Sequence, residues 1–299
     1  MNDPEWPRAS AWLATDTSDP GLVVAGVPTA VASISGSAGH LTPPRLRTVL
    51  ERFATFHSEA EVDLSDLPVT DLGDWPVAEL DMVASQAEIE QRAAALEQGP
   101  VYAFIGGDNA ITRPLVGGLG SAGAGVLTFD AHHDVRSLVN GPTNGTPIRG
   151  LIEDGMSGQR IVQVGIHTFS NSAAYRSYCE EQGIALFPMD TVDLWGIEET
   201  VRVALDQLAR ACEWIYVDFD IDVLDRAFAP GCPGSRPGGF TPRQLASAAL
   251  QCGRHPQVAA ADFVEVDPER DHDDLTMMNL ATTFLSFAAG VASRPGDDR

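Results

Sequence analysis

The sequences FDAHHD at residues 129–134 and YVDFDID at residues 216–222 are the most informative stretches of this chain. Each ends an apolar run that is typical of a buried strand, so each brings carboxylates to the end of a strand. Carboxylates crowded there would repel one another and lose hydration unless a cation neutralised them. Oxygen ligands with one imidazole favour a hard or borderline ion, Mn²⁺ before Zn²⁺ or Mg²⁺. We therefore expect a pair of divalent metal ions at these strand ends.

The rest of the sequence alternates short apolar runs with helical patterns. Strands are predicted at residues 22–27, 69–72, 101–105, 125–129, 161–166, 185–187, 214–219 and 258–264, and helices at residues 44–57, 85–98, 173–182, 198–211 and 241–251. This alternation predicts a three-layer α/β fold, with a mainly parallel sheet flanked by helices on both faces. We expect one catalytic domain over residues 1–299, with an N-terminal extension at 1–20 and a flexible tail at 293–299.

Polar residues cluster where the predicted strands end. They are Asp108 and Asn109 after the third strand, Asp130 to Asp134 after the fourth, Asp220 and Asp222 after the seventh, and Glu265 after the eighth. Ligands of open parallel sheets bind along that edge, so these segments should converge on one site. In a regular strand, Asp220 and Asp222 would point to the same face. A capping or turn role would explain a single aspartate, but it explains both acidic runs poorly.

Composition restricts the partners and the compartment. The formal charge is −23, and all 19 basic residues are arginine. Such a chain repels nucleic acid and anionic membrane, and neither is an expected partner. No apolar run approaches the roughly 20 residues that cross a bilayer, and no signal peptide begins the chain, so a cytoplasmic location is expected. The four cysteines form no CxxC pair and are predicted to be reduced.

The acidic motifs resemble those of the ureohydrolase family, which includes arginase, agmatinase and formimidoylglutamase. GGDN at 106–109 stands at the family's GGDH-like turn, and DAHHD at 130–134 matches its DAHxD motif. DIDVLD at 220–225, continued by APGCP at 229–233 and PGG at 237–239, matches the DxD motif and the loop after it. The resemblance runs from about residue 22 to 290. Segments 130–136, 141–147, 169–175 and 227–233 are most similar to bacterial formimidoylglutamases.

This resemblance implies an arginase-like fold and two Mn²⁺ ions in each subunit. The implied ligands are Asn109, Asp130, His132, Asp134, Asp220 and Asp222, with Asp130 and Asp220 bridging the ions. Asn109 stands where the family usually has histidine, so the ion at that position is expected to bind more weakly. His133 alternates with His132 and should point away from the metals.

The resemblance also suggests roles in substrate binding and catalysis. Asp134 would carry a proton from the attacking hydroxide to the leaving nitrogen, and Glu265 matches the family carboxylate that pairs with the cationic amidinium or guanidinium. Asn144 replaces a histidine of arginase and agmatinase, and would hydrogen-bond the substrate without relaying protons. Arg136 is the first candidate to clamp a substrate carboxylate, and Arg149 is the second.

The leading hypothesis is hydrolysis of N-formimidoyl-L-glutamate to L-glutamate and formamide by a metal-bridging hydroxide, in histidine degradation. One alternative is an agmatinase or guanidino-acid hydrolase that releases urea. Another is a metal-poor relative that binds a ligand without turnover, which Asn109 and Asn144 motivate. Relatives commonly form trimers or hexamers, so the resemblance implies a homo-oligomer.

Overall fold

The computed structural model describes residues 3–295 and is built around an eight-stranded parallel sheet. The described chain has ten strands in all: β1 (Leu22–Val27), β2 (Phe56–His57), β3 (Val62–Asp63), β4 (Val69–Asp74), β5 (Val101–Gly106), β6 (Ala124–Phe129), β7 (Ile161–Ile166), β8 (Ala185–Pro188), β9 (Trp214–Asp220) and β10 (Val258–Val264). Only β2 and β3 lie outside this sheet, as a separate antiparallel pair. The eight predicted strands are confirmed, with ends that differ by two residues at most.

The order of strands in the sheet differs from their order along the chain. The spatial order is β4-β1-β5-β10-β9-β6-β7-β8, so β10 and β9 are inserted between β5 and β6. These four central strands are the ones that the acidic and amide residues follow in the sequence. Because neighbouring strands are parallel, their carboxyl ends lie side by side at one edge. The topology alone therefore brings the predicted site residues together.

Helices cover both faces of this sheet. They are α1 (Ala9–Leu13), α2 (Thr42–Val49), α3 (Met82–Ala94), α4 (Thr112–Gly120), α5 (Pro147–Glu153), α6 (Ala173–Gln182), α7 (Met189–Trp195), α8 (Ile197–Ala211), α9 (Pro242–Arg254) and α10 (Leu275–Ala292). Residues of α1, α2 and α7 to α10 share one apolar core with one face of the sheet, and residues of α3 to α6 share a second core with the other face. The predicted three-layer α/β architecture is confirmed.

A row of aromatic rings lies directly below the acidic strand ends. Phe129, Phe219 and Phe263 are paired neighbours on β6, β9 and β10. The ring of Phe219 stacks on both others, with centroids 5.1 Å apart in each pair. All three rings are fully buried. Because Asp130 and Asp220 are the next residues after two of these rings, the stack fixes the backbone that carries them.

The described chain has ten helices where five were predicted, and one predicted helix is shorter than expected. The helix expected at 44–57 ends at Val49, because a 3₁₀ turn follows and Phe56–His57 pairs with Val62–Asp63 instead. The helix α10 was missed because its residues are apolar on most sides and lack the periodicity of an amphipathic helix. By length and composition α10 is apolar enough to cross a bilayer, unlike the expectation above. It packs against α9 as a core helix, however, and 67% of it is buried.

The predicted ends of the domain are partly integrated into the core. Ala9, Trp12 and Leu13 of α1 are buried, and the Trp12 indole donates a hydrogen bond to the Leu67 carbonyl at 3.0 Å. Within the tail expected at 293–299, Arg294 donates to two backbone carbonyls. Residues 296–299 of that tail lie outside the described residues. The four cysteines are free, as predicted.

Candidate metal centre

The carboxyl ends of β6 and β9 contribute three clustered metal-binding side chains. Asp130, His132 and Asp222 each offer a ligand atom, and these atoms lie within 4.8 Å of one another. His132 Nδ1 is 2.7 Å from Asp222 Oδ2 and 3.5 Å from Asp130 Oδ1. Asp130 and Asp222 are buried, whereas His132 is partly exposed. Two carboxylates and an imidazole at this spacing form a suitable site for a divalent ion.

Asp220 and Asp222 meet through a turn and not through strand alternation. The strand β9 ends at Asp220, and Ile221–Val223 forms a 3₁₀ turn. The backbone amide of Asp222 donates to Asp220 Oδ1 at 2.8 Å, and Asp222 Oδ1 accepts from the Ala131 amide at 2.9 Å. Both carboxylates line one cavity of about 130 Å³. The two aspartates converge as expected, but the strand geometry that predicted it does not extend to Asp222.

The two residues predicted to be catalytic have unusual backbone conformations. Asp134 has a φ of 51° and Glu265 a φ of 69°, in the left-handed region that favours glycine. Both side chains line the cavity beside Asp220 and Asp222. Residues held in this conformation cluster at functional sites, where the surrounding structure compensates for the strain. Among the six described non-glycine residues with positive φ, Asp134 and Glu265 are the two that line this cavity.

Asn109 connects the metal cluster to Glu265. Its backbone amide donates to Glu265 Oε1 at 2.7 Å, and its side-chain Nδ2 donates to Asp134 Oδ2 at 2.9 Å. Its Oδ1 accepts from the Thr112 hydroxyl at 2.8 Å. Asn109 and Asp130 are buried and do not line the cavity, so they lie behind the residues that do. The structure brings Asn109 to the site, with its amide nitrogen towards Asp134.

Crowding of the acidic groups changes their proton affinities. Burial and the charge of Asp222 raise the pKa of Asp130 to about 7. Burial and the charges of Asp222 and Asp130 also raise the pKa of Asp220. Against the effect of burial, Asp222 and Asp130 raise the pKa of His132 to about 12, and His132 in turn lowers the pKa of Asp222 to about 2. This excess of buried negative charge is what a bound cation would relieve.

The remaining predicted residues are divided between the cavity and its surroundings. Asn144 lines the cavity, and its Nδ2 donates to Glu265 Oε1 at 3.0 Å. Arg136 also lines it. Arg149 does not: its Nε lies 2.7 Å from Glu153 Oε1, and its guanidinium lies over the Tyr178 ring at 4.1 Å. The ring of His133 is turned towards Gln163, as its alternation with His132 predicted.

Three parts of the cavity wall are not among the site residues predicted from the sequence. Arg236 lines it from the loop after β9, Ile34 and Ser35 from the loop after β1, and Asn171 from the loop after β7. Asn171 supports the DAHHD segment, because it accepts from the His133 amide and donates to the Ala131 carbonyl. Arg236 could have been singled out, since it is the one arginine between the APGCP and PGG segments.

The sequence model of the arginase family matches residues 20–290. The chain belongs to the arginase family. Within that family it is similar to a formimidoylglutamase of Halalkalibacterium halodurans, with 39% identity over 90% of this chain and 87% of the relative. The family resemblance inferred from the motifs is thereby confirmed.

Solved structures of arginase-family proteins share this fold. The crystal structure of formimidoylglutamase from Bacillus subtilis strain 168 superposes with a TM-score of 0.93 and 33% identity, and covers 99% of this chain and 95% of that one. Trypanosoma cruzi formiminoglutamase with Mn²⁺ has a TM-score of 0.87 and 24% identity, and covers 97% of this chain and 100% of that one. The latter similarity shows the fold alone.

The residues of this arginase-family chain fit the metals that the resemblance implies. The donors are carboxylate oxygens, one imidazole and one amide, a set that suits Mn²⁺. Asp130, His132 and Asp222 converge without another cation among the described residues close enough to pair with the buried carboxylates. Three further predicted ligands, Asn109, Asp134 and Asp220, are within the same network of contacts.

Proposed function

We propose that this protein hydrolyses N-formimidoyl-L-glutamate to L-glutamate and formamide with two Mn²⁺ ions. The observation that carries the proposal is the composition of one cavity. It is lined by His132, Asp220 and Asp222 and also by Arg136. The metal ligands would hold the ions that activate water for the hydrolysis of an amidine. The arginine would bind a carboxylate of the substrate. The formimidoylglutamases among the relatives support the same substrate.

The proposed ligands are Asp130, Asp134, Asp220 and Asn109 for one ion, and Asp130, His132, Asp220 and Asp222 for the other. When bound, two divalent ions would lower the pKa of a coordinated water, so that hydroxide would be available near neutral pH. In the net reaction, water adds to the formimidoyl carbon and the bond from that carbon to the glutamate nitrogen breaks. The glutamate nitrogen gains a proton, and formamide is the second product.

Asp134 and Glu265 perform separate tasks in this reaction. Asp134 is buried at the site and has a raised pKa, because burial and the charge of Asp130 disfavour its ionised form. That shift belongs to the metal-free protein; beside bound metal ions the Asp134 carboxylate would be ionised, and it could take a proton from the nucleophile and transfer it to the leaving nitrogen. Glu265 is fixed by hydrogen bonds from Asn109 and Asn144. Its carboxylate faces the cavity and pairs with the cationic formimidoyl group of the substrate.

Two products distinguish this function from its nearest rival. Protein loaded with Mn²⁺ is incubated separately with formimidoylglutamate, arginine, agmatine and guanidinobutyrate, and both formamide and urea are measured. We expect formamide from formimidoylglutamate and little urea from the other three. Efficient release of urea would instead make the protein a guanidino hydrolase. Absence of both products, with no bound Mn²⁺ in metal analysis, would favour a non-catalytic ligand-binding protein.

A further inference from the structure

Arg236 occupies the wall of the cavity that also contains Arg136, but it comes from a different loop. Arg136 follows β6, whereas Arg236 belongs to the long loop after β9. Backbone hydrogen bonds hold this loop in place: the Arg226 amide donates to the Arg236 carbonyl at 3.0 Å. Two arginines from two separately anchored segments therefore line the cavity.

Backbone carbonyls fix one end of the Arg236 guanidinium. Its Nη1 donates to the carbonyl oxygens of Gly234 and Ser235, each at 2.9 Å. Its Nε and Nη2 have no hydrogen-bond partner among residues 3–295. A guanidinium held in this way keeps the other donors of its planar fork available. Those donors can bind an oxygen ligand at little further cost in side-chain entropy.

Arg136 is also left without an acidic partner. Its backbone amide donates to the Gly145 carbonyl at 3.0 Å, and its aliphatic chain lies so close to Gly145 that a Cβ there would be 2.6 Å from Arg136 Cδ. Within the described part of the chain, its guanidinium makes no hydrogen bond or ion pair. Its aliphatic chain therefore contacts Gly145, the residue is exposed, and its donors are free.

Arg136 and Arg236 are the two arginines that line the cavity, in a chain that has 42 acidic and 19 basic residues. Ion pairs are formed elsewhere by Arg113 with Asp154 and by Arg202 with Glu199, both at 2.6 Å, whereas several arginines outside the cavity, such as Arg294, have backbone partners only. The cavity carboxylates of Asp134, Asp220 and Asp222 are proposed metal ligands, and that of Glu265 is proposed to pair with the formimidoyl group, so none is left for the arginines. A negatively charged ligand would supply the ion-pair partners that Arg136 and Arg236 lack.

We propose that Arg236 binds one carboxylate of N-formimidoyl-L-glutamate while Arg136 binds the other. This assignment rests on the proposed function and adds a specificity-determining residue to it. One arginine for each carboxylate offsets the repulsion that a dianionic substrate would meet in this acidic chain. The pair selects a dicarboxylate over agmatine, which has no carboxylate, and over guanidino acids, which have one.

The test compares the substrate with two analogues that each lack one carboxylate. These are N-formimidoyl-4-aminobutyrate, without the α-carboxylate, and N-formimidoyl-2-aminobutyrate, without the side-chain carboxylate. In Arg236→Gln, KM for formimidoylglutamate should rise roughly tenfold to hundredfold, the usual effect of losing a charge-assisted hydrogen bond, with kcat changed much less. The analogue that lacks the carboxylate bound by Arg236 should be insensitive to the substitution. Arg236→Lys should recover only part of the loss, because lysine lacks the fork.

Arg243→Gln provides the matched control. Arg243 is on α9 outside the cavity, and its side chain is 88% exposed. It should leave KM for all three compounds unchanged, and equal Tm and Mn²⁺ content would show that each variant is folded and loaded. An unchanged KM for formimidoylglutamate in Arg236→Gln, or an equal loss with both analogues, would overturn the assignment.

A binding measurement separates this proposal from the proposed function. If the parent protein does not hydrolyse formimidoylglutamate, the proposed function fails, and calorimetric binding of L-glutamate then tests Arg236 alone. Weaker binding in Arg236→Gln than in the parent and Arg243→Gln would support the carboxylate contact. Absence of glutamate binding to the parent, or equal binding by the three proteins, would reject it.

Discussion

Asn109 Nδ2 donates a hydrogen bond to Asp134 Oδ2 at 2.9 Å, so the amide nitrogen faces the group that is proposed to share its metal. On the opposite side, Thr112 Oγ1 lies 2.8 Å from Asn109 Oδ1 and 2.7 Å from Asp262 Oδ2. The Thr112 hydroxyl has a single proton to give to these two oxygens. A half-turn of the amide would let Nδ2 donate to Thr112 and turn Oδ1 towards the metal. Asn109 can therefore exchange a hydrogen bond for metal ligation without leaving a buried donor unpaired.

Removal of the Asn109 amide should weaken the binding of one of the two Mn²⁺ ions. We expect Asn109→Ala to lower the affinity of that ion by roughly tenfold or more, the scale found when groups around a metal site are removed. Asn109→His should strengthen it, because imidazole is the better ligand. Calorimetric titration with Mn²⁺ measures both. Two unchanged binding steps in Asn109→Ala would exclude Asn109 as a ligand, and Thr112→Ser, which retains the hydroxyl, serves as the control.

The raised pKa values of the cluster predict how pH affects the metal-free protein. The pKa of Asp130 is about 7 in the folded state, whereas an aspartate in an unfolded chain has a pKa of about 3.9. Between these values the folded state binds more protons, so this group stabilises the fold at low pH and that contribution is lost as pH rises through 7. Burial and the charge of Asp222 also raise the pKa of Asp220, so this group affects the pH dependence of stability in the same way.

Manganese should reverse this loss of stability, because it replaces the protons as the neutralising charge. We expect the increase in Tm caused by Mn²⁺, relative to protein in chelator, to be larger at pH 8 than at pH 5.5. Thermal unfolding at the two pH values measures it. Asp220→Asn removes one of the crowded charges and should flatten the pH dependence of the metal-free protein. An equal increase in Tm at both pH values would contradict the prediction.

The strands and the location of the site could be predicted because they depend on simple patterns. Buried parallel strands are short, nearly continuous apolar runs, and the polar residues that follow them mark the carboxyl edge. Asp130 and Asp220 are placed by this rule, each directly after a buried phenylalanine. The insertion of β9 and β10 between β5 and β6 was not needed for that inference, although it is what makes the four strand ends adjacent.

The details that sequence patterns did not give depend on turns and on tertiary contacts. Asp222 belongs to a 3₁₀ turn, so the period of two residues that holds in a strand stops at Asp220. Arg149 has a guanidinium that could bind a substrate carboxylate, but it pairs with Glu153 one helical turn away. The helix α10 is surrounded by the core on most sides, which removes the polar face that marks a helix in sequence.

The stacked phenylalanines should contribute strongly to stability and to metal binding. Phe219 is fully buried and is the central ring of the three, so Phe219→Ala leaves a cavity next to Asp220. We expect the free energy of unfolding to fall by about 3–5 kcal/mol, measured by urea denaturation, and the affinity for Mn²⁺ to fall with it. Phe169 is fully exposed, and Phe169→Ala should change stability by only about 0.5 kcal/mol. Similar effects of the two substitutions would contradict the role given to the stack.

Asn144 should control the ionisation of Glu265 and hence the pH dependence of hydrolysis. Burial raises the pKa of Glu265 to about 7, and the hydrogen bonds from Asn109 and Asn144 limit that rise because they favour the ionised carboxylate. Asn144→Ala removes one of them, so the pKa of Glu265 should rise further and a smaller fraction should be ionised at pH 7. Asn144 Oδ1 also accepts from the Ile34 amide at 3.0 Å, so the loop after β1 loses a contact as well.

We therefore expect kcat/KM for formimidoylglutamate at pH 7 to fall by roughly tenfold in Asn144→Ala, and to recover partly at pH 9 as Glu265 ionises. Glu265→Gln should lose activity by roughly a hundredfold or more at both pH values, because it has no carboxylate to recover. The pH profiles of kcat/KM for the parent and the two variants measure this difference. A loss in Asn144→Ala that is equal at pH 7 and pH 9 would mean that Asn144 acts on the loop after β1 and not through the ionisation of Glu265.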